Sequence, residues 1–161
     1  MKKFPALHLE DAFLIRTIPI ATDSERRRMV NPRKVYPIDA GLIGVFDRSG
    51  KANWGHALET VVALELLRRG AEIAYVRTSR DLEVDFLARY PDGSQVLIQV
   101  CSELGRSETA NREIRALRAA AEQYPQASLH LVTANTEVIR DEPKDITLHS
   151  AAAWLLNDSS L

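Results

Sequence analysis

Two neighbouring segments with alternating side chains constrain the fold of this chain most. They read Glu83-Val84-Asp85-Phe86-Leu87 and Leu97-Ile98-Gln99-Val100-Cys101. A turn-forming run, Pro91-Asp92-Gly93, lies between them. Successive side chains of a β-strand point to opposite faces of the sheet, so this alternation predicts two paired strands. We therefore expect Glu83 and Asp85 to share one face, and Gln99 and Cys101 to share the corresponding face of the next strand.

From Trp54 onward the chain alternates helical and strand patterns. Apolar residues at helical spacing predict a first helix that stops at Gly70 and a second, amphipathic helix further along. The predicted order is helix Trp54–Arg69, strands Glu72–Arg77, Leu82–Arg89 and Gln95–Cys101, helix Glu108–Tyr124, strands Ser128–Thr133 and Ile146–His149, and helix Ala151–Leu156. This order predicts an α/β fold in which a central mixed β-sheet is flanked by helices.

The first 46 residues show a different pattern from the rest of the chain. After the end of a short helix near Phe13, Leu14–Ile20 and Lys34–Asp39 have the composition of strands. The segment between them, Thr22–Arg28, is polar and turn-rich. We therefore predict a β-hairpin appendage within residues 1–46 and a main domain over residues 47–161.

Composition and charge limit the class of protein. With 161 residues, 45% of them hydrophobic, the chain can bury a core without cross-links. A single cysteine and the lack of a leader-like start predict a cytoplasmic location, and no apolar run reaches membrane-spanning length. The net charge of −1 gives no overall attraction to nucleic acid, so binding would require a local basic patch.

Several strings in this chain resemble one protein family. They are the run from Asn31 to Leu42 (NPRKVYPIDAGL), then Gly55, Glu59 and Glu83-Val84-Asp85-Phe86. The chain resembles the C-terminal domain of unknown function that follows the ATPase module in many bacterial and archaeal AAA-type ATPases. Its element order is similar to the PD-(D/E)XK nuclease-like fold, so the resemblance implies a restriction-endonuclease-like architecture.

The ATPase module itself is not expected in this chain. The candidate phosphate loop, Gly44–Ala52, contains Gly50-Lys51, but the spacing of its glycines is wrong and no Ser or Thr follows the lysine. The resemblance therefore implies an upstream or separate ATPase module as partner, and no nucleotide-binding loop here.

The resemblance also implies an acidic site. Such nucleases carry an aspartate on one strand and Glu-x-Lys on the next, and here Gln99 and Cys101 stand at the Glu and Lys positions. The implied catalytic positions are Glu59, Asp85, Gln99 and Cys101, in a vestigial form. Glu59, Glu83 and Asp85 could together hold Mg²⁺ or Mn²⁺, because a divalent ion of this kind keeps several waters and needs few protein ligands. Gln99 adds no charge and Cys101 is not a permanent cation, so efficient cleavage is not expected.

Arginine clusters suggest contact with DNA or RNA. Arg26, Arg27, Arg28, Arg33 and Lys34 could bind phosphates from the hairpin. The helix that carries Arg112, Arg115 and Arg118 also carries glutamates, which is more typical of ordinary surface ion pairs.

Three functions therefore stay open. The first is a nuclease-like domain of an ATPase-associated protein that binds nucleic acid or regulates, with a degraded catalytic site. The second is a protein-interaction scaffold in which Glu59, Glu83 and Asp85 are ordinary strand and helix acids and Cys101 is a small core residue. The third is an active Mg²⁺-dependent nuclease that recruits its missing base from elsewhere as a non-standard catalytic residue, for example Arg77 or Lys51.

Overall fold

The computed structural model describes residues 5–46, 53–102, 107–134 and 143–157. It confirms an α/β fold. The elements are α1 (Pro5–Asp11), β1 (Ile15–Ile18), α2 (Glu25–Val30), β2 (Lys34–Pro37), α3 (Gly41–Phe46), α4 (Trp54–Arg68), β3 (Glu72–Arg77), β4 (Glu83–Arg89), β5 (Gln95–Cys101), α5 (Ser107–Ala121), β6 (Ser128–Thr133), β7 (Thr147–Ser150) and α6 (Ala151–Leu156). None of the described helices is both long and apolar enough to cross a membrane.

The main sheet of the described chain is mixed and has the order β3-β4-β5-β6-β7. The first three strands pair antiparallel with one another, while β6 is parallel to β5 and β7 is parallel to β6. A parallel pair needs a crossover connection, and α5 lies in the connection between β5 and β6. The predicted mixed sheet flanked by helices is confirmed. The largest boundary difference among its elements lies at α5, which ends at Ala121 rather than Tyr124.

Helices cover both faces of this sheet. On one face α4 buries Val62 and Leu66 against Phe86 and Ile98, which we call the α4-side core. On the other face α5 buries Leu117 with Leu87 and Leu97, which we call the α5-side core. Each fully buried aliphatic or aromatic side chain contributes about 1.5–3 kcal/mol to folding. These two apolar layers hold the strands in place.

Helix α4 ends close to a glycine, as the sequence predicts. Gly70, at a φ of +78°, follows α4 in the left-handed conformation that glycine favours.

The N-terminal strands form the predicted hairpin. β1 and β2 pair antiparallel, with Ile15 opposite Pro37 and Ile18 opposite Lys34. The connection between them differs from the prediction, because the polar segment leads into a helix, α2. Ser24 caps this helix by accepting a hydrogen bond from the backbone N–H of Arg27 at 3.3 Å. The arginines that we assigned to a turn therefore lie on a helix.

The hairpin is attached to the edge of the main sheet. The backbone N–H of Tyr75 in β3 donates to the carbonyl of Pro19 at 3.0 Å, and the N–H of Ala21 donates to the carbonyl of Tyr75 at 2.7 Å. Ile18 and Tyr36 of the hairpin are each 1% exposed and belong to the α4-side core. Pairing of this kind covers an otherwise open sheet edge. It also brings β2 over the end of β4.

A β-bulge interrupts β4 at Asp85. Ala74 of β3 lies opposite Leu87, but Val76 lies opposite Val84, so the two residues Asp85 and Phe86 face the single residue Tyr75. An extra residue of this kind bends the strand and changes the direction of its side chains. The simple alternation that we predicted for residues 83–87 is therefore broken at the position of the candidate aspartate.

Candidate functional site

A lysine from the hairpin lies among the candidate acids. Among the described residues, the Lys34 ammonium nitrogen lies 3.1 Å from Glu59 Oε1, 2.9 Å from Glu83 Oε1 and 2.9 Å from Asp85 Oδ1. We call these four residues the Lys34 cluster. Three separate elements supply it, since Lys34 begins β2, Glu59 lies in α4, and Glu83 and Asp85 belong to β4. The structure thus brings the three predicted metal-binding acids together around a cation of the chain.

The cluster is shielded from solvent to different degrees. The side chain of Asp85 is 12% exposed, that of Lys34 21% and that of Glu83 44%. Burial by itself would lower the pKa of Lys34, but the charges of Asp85 and Glu59, and the hydrogen bonds that Lys34 donates to Glu83 and Asp85, outweigh it and raise that pKa. Burial and the neighbouring charge of Glu59 raise the pKa of Asp85 to about 7, against the opposing effect of Lys34. The lysine is therefore held in its charged form.

Aromatic side chains frame the cluster. The hydroxyl of Tyr36, two residues after Lys34 on the same face of β2, donates to Glu59 Oε1. Burial and the charge of Glu59 raise the pKa of Tyr36, which keeps this hydroxyl protonated. The ring of Tyr36 contacts Phe86 at a centroid distance of 5.8 Å, and the Lys34 ammonium lies 5.8 Å from the ring centre of Tyr75. These contacts fix the direction from which β2 approaches the acids.

Asp85 is further held by the neighbouring strand. Its Oδ2 accepts a hydrogen bond from the backbone N–H of Val100 at 3.0 Å, and its own N–H donates to Gln99 Oε1 at 3.2 Å. The Gln99 side chain donates in turn through Nε2 to Glu113 Oε2 at 2.8 Å. Both ends of the Gln99 amide are thus engaged in contacts within the chain.

Glu113 is a site residue that the sequence reading missed. It lies on α5, its side chain is 7% exposed, and its Oε1 accepts from Arg112 Nη2 at 2.6 Å. A signal was present, because Glu113 stands three residues after Ala110 and four before Leu117, on the apolar stripe of the helix. An acid on that stripe is buried and needs partners. Arg112 and Gln99 provide them.

Cys101 lies in a different environment from the cluster lysine. It is 8% exposed and packs in the α5-side core. Cys101 and Gln99 also contribute to a cavity of about 490 Å³, whose lining includes Glu59, Asp85, Arg112 and Glu113. One cavity is therefore bordered by all four predicted catalytic positions, Glu59, Asp85, Gln99 and Cys101. At two of them the nuclease pattern differs, because it has an acid in place of the Gln99 amide and a cation in place of the Cys101 thiol.

The acids do not fit a divalent metal ion in this arrangement. Among the described residues, no group of three or more His, Cys, Asp or Glu side chains is arranged to hold a metal. The Lys34 ammonium lies between Glu59, Glu83 and Asp85, the three residues predicted to bind Mg²⁺ or Mn²⁺. A metal would have to displace this ammonium to reach their oxygens.

The predicted nucleic-acid-binding residues divide into two groups. Arg26, Arg27 and Arg28 are exposed on α2, and Arg33 is exposed just before β2. Arg28 donates to the Thr22 carbonyl at 2.9 Å and Arg33 to Thr17 Oγ1 at 3.2 Å. Lys34, which we grouped with these arginines, directs its ammonium into the acid cluster instead. The basic surface is therefore formed by the arginines alone.

The other arginines considered for phosphate contact or for the acidic site contact groups outside that site. Arg118 makes two hydrogen bonds with Asp145, at 2.7 Å and 2.8 Å, and Arg115 donates to the carbonyl of Asn111. Arg77, one candidate for the missing base, pairs with Asp81 at 3.0 Å. The other candidate, Lys51, and most of the segment Gly44–Ala52 lie outside the described residues. The cation beside the acids comes from the hairpin, which we did not predict.

Comparison with known proteins places the chain in a family without assigning it an activity. The family model described as "Domain of unknown function (DUF4143)" matches residues 54–151. A curated "Uncharacterized protein" of Methanocaldococcus jannaschii is 33% identical over 136 residues, which cover 81% of this chain and 29% of the relative. The chain thus spans less than a third of that relative's length. No solved structure matches the chain significantly.

Proposed function

The chain belongs to the DUF4143 family of domains of unknown function, and from this premise we propose that it is a nuclease-like domain that binds nucleic acid without cutting it. The fold and the position of the acids support a relation to the PD-(D/E)XK nucleases. The domain acts as a binding or regulatory part of an ATPase-associated protein.

One observation supports the proposed absence of cleavage. The acids that would hold a catalytic metal are engaged by Lys34, at 2.9–3.1 Å from its ammonium nitrogen. Metal-assisted hydrolysis of a phosphodiester needs acids that hold the metal and leave positions for water and substrate. The engaged amide of Gln99 points the same way, since its oxygen already accepts from the Asp85 N–H.

The arginines of α2 support nucleic-acid binding. Three consecutive arginines lie on a short helix with no buried residue, and Arg33 follows just before β2. Exposed guanidinium groups bind phosphate oxygens with two parallel hydrogen bonds, and neutralising phosphates releases counterions. A local patch of this kind can bind a phosphate backbone although the whole chain carries a net charge of −1.

The association with an ATPase rests on resemblance. The strings from Asn31 to Leu42 and from Glu83 to Phe86 are similar to those of domains that follow an ATPase module. The match to the archaeal relative covers only 29% of that protein, which leaves a long remainder for further domains. We propose that this domain presents nucleic acid to such a motor or reports its presence.

Retention on DNA as a function of salt tests the proposal. The wild type should bind single- or double-stranded DNA at low salt and lose affinity steeply as salt rises. The variant Arg26→Ala/Arg27→Ala/Arg28→Ala should lower the slope of log affinity against log salt by about 2–3 if each arginine contacts one phosphate. A matched control, Arg80→Ala/Arg115→Ala/Arg118→Ala, removes the same charge elsewhere and should leave the slope unchanged.

Two outcomes would remove this proposal. No binding at low salt would favour the scaffold function, for which a groove of about 560 Å³ offers a surface. Apolar residues of the hairpin, α1 and α3 line this groove, among them Leu9, Leu14, Val35, Leu42 and Ile43. An equal loss in the control variant would show that binding follows net charge and does not depend on α2.

A second candidate is an active nuclease in which Lys34 supplies the ammonium missing at Cys101. The 2.9 Å distance between Lys34 Nζ and Asp85 Oδ1 favours it. It predicts plasmid cleavage in Mn²⁺ by the wild type and a loss of cleavage in Lys34→Met. The non-cleaving proposal predicts no cleavage by the wild type, and a gain only when Gln99→Glu and Cys101→Lys are combined with Lys34→Met, which frees the acids for a metal ion.

A further inference from the structure

Each N–H donor of the Lys34 ammonium has a carboxylate oxygen within hydrogen-bond distance. An ammonium group has three N–H donors and no acceptor. Among the described residues, Lys34 has oxygens of three different carboxylates within 3.1 Å, one each from Glu59, Glu83 and Asp85. The donors and acceptors are therefore equal in number at this centre.

The charges around the ammonium also have the pattern of a cation site. With all three acids ionised, the cluster has three negative charges for one positive charge, so an uncharged side chain at position 34 would leave the carboxylates facing one another. Like charges a few ångströms apart repel strongly when they are partly buried. The cluster therefore requires a cation, and the chain itself provides one.

Lys34 lies on strand β2, which contacts the rest of the domain at several points. Tyr36 on the same face of β2 is 1% exposed and donates to Glu59, while the hydroxyl of Tyr75 donates to the carbonyl of Pro32 at 2.7 Å. The backbone bonds between Tyr75 and the segment Pro19–Ala21 attach the hairpin to the sheet edge. Lys34 is thus held in the cluster by the fold, and its contacts in turn hold β2 on the end of β4.

We propose that Lys34 is a tethered cation that takes the place of a divalent metal ion in this domain. Lys34 supplies a positive charge to the acid cluster without any metal, and the hairpin becomes part of the site. Once the tethered charge is removed, the side chains of these carboxylates can turn toward one another and bind a free divalent ion. The inference deepens the proposed function, because it explains how the nuclease-like acids persist in a domain that does not cleave.

Thermal unfolding with and without Mn²⁺ tests this exchange. The unfolding temperature of the wild type should be the same in EDTA and in millimolar Mn²⁺. That of Lys34→Met should rise by about 5–10 °C in Mn²⁺, because a ligand at 100 times its Kd stabilises a domain of this size by that amount. The double variant Lys34→Met/Asp85→Asn should lose the rise, and Lys144→Met, which removes an exposed lysine, should behave like the wild type.

The result can also go against the inference. An equal Mn²⁺ shift in the wild type, or no shift in a folded Lys34→Met chain, would overturn it. If Lys34→Met is unfolded in EDTA, Mn²⁺ should restore its circular dichroism spectrum, and a chain that stays unfolded would overturn the inference as well. The assay contains no nucleic acid and leaves the α2 arginines intact, so its failure is distinguishable from failure of the DNA-binding proposal.

Discussion

The Lys34 cluster and helix α2 carry the two groups of charges that suggest function, and they differ in how those charges are satisfied. In the cluster, Lys34 and Asp85 are mostly buried, and their contacts lie within the chain. On α2, Arg26, Arg27 and Arg28 are exposed, and the contacts of Arg28 with Glu25 and the Thr22 carbonyl lie at the surface. Charges that the fold has already paired contribute to structure, whereas exposed charges are available to a ligand. The residues that resemble an active site are therefore the less accessible of the two groups.

The largest expected effect is on folding stability when the cluster loses its cation. Lys34→Ala leaves Glu59, Glu83 and Asp85 without their shared partner, and removal of one member of a buried ion pair costs about 3–5 kcal/mol. Because Lys34 is 21% exposed, we expect the lower end of that range at pH 7. Urea unfolding measures it. Lys144→Ala removes the same charge from an exposed position and should change the free energy of unfolding by less than about 0.5 kcal/mol.

The next prediction concerns pH. Asp85 has a pKa of about 7 in the folded chain, raised by burial and by Glu59, against an unfolded value near 3.8. A carboxyl with a raised folded pKa stabilises the fold below its unfolded pKa, and this contribution is lost as the pH rises through the folded pKa. Each unit of difference corresponds to about 1.4 kcal/mol. The stability of the wild type relative to Asp85→Asn should therefore fall between pH 4 and pH 7.

A series of urea unfolding curves at several pH values measures that difference, since groups outside the Lys34 cluster titrate alike in both proteins. A difference that stays constant across this range would show that Asp85 has no raised pKa. A difference that increases with pH would mean that Lys34 dominates and holds Asp85 ionised.

Glu113 should have an intermediate effect. In Glu113→Ala the Nε2 group of Gln99 loses its acceptor while it remains buried, which costs about 1–3 kcal/mol. Glu122→Ala is the matched control, because Glu122 forms an exposed ion pair with Arg80 whose loss costs about 0–1 kcal/mol. Equal losses in the two variants would mean that the chain of hydrogen bonds from Arg112 to Asp85 has no structural role.

The smallest effect on stability is expected on α2. Each of the substitutions Arg26→Ala, Arg27→Ala and Arg28→Ala should change the free energy of unfolding by no more than about 0.5 kcal/mol, because their side chains are exposed. Chemical unfolding of the triple variant checks this. A cooperative loss of several kcal/mol would place these arginines among the structural charges and remove the contrast with the Lys34 cluster.

Local patterns were sufficient to predict most of the fold. The helix over Trp54–Arg68 and the strands Glu72–Arg77, Gln95–Cys101 and Ser128–Thr133 follow from apolar periodicity and turn residues, which act over a few neighbouring positions. Helix α2 was missed because its residues are all polar or exposed and carry no apolar stripe. The cap formed by Ser24 was the available signal.

The site was harder to predict because it depends on distant contacts. Lys34 and Asp85 are 51 residues apart, and nothing in the local sequence of either one indicates the other. The bulge at Asp85 requires one extra residue relative to β3, which depends on the register of two strands. Glu59 and Asp85 were placed by resemblance. Their partner was grouped with the arginines, since a lysine next to Arg33 resembles part of a basic patch.

Three carboxylates surround the Lys34 ammonium, and this arrangement can be measured directly. The chain has five lysines, so ¹⁵N-lysine labelling gives a simple ammonium spectrum in NMR. We predict that one signal, absent in Lys34→Met, exchanges its hydrogens with water far more slowly at neutral pH than the others, and that Asp85→Asn speeds this exchange. A Lys34 signal that exchanges as fast as that of Lys144, with no response to Asp85→Asn, would contradict the account.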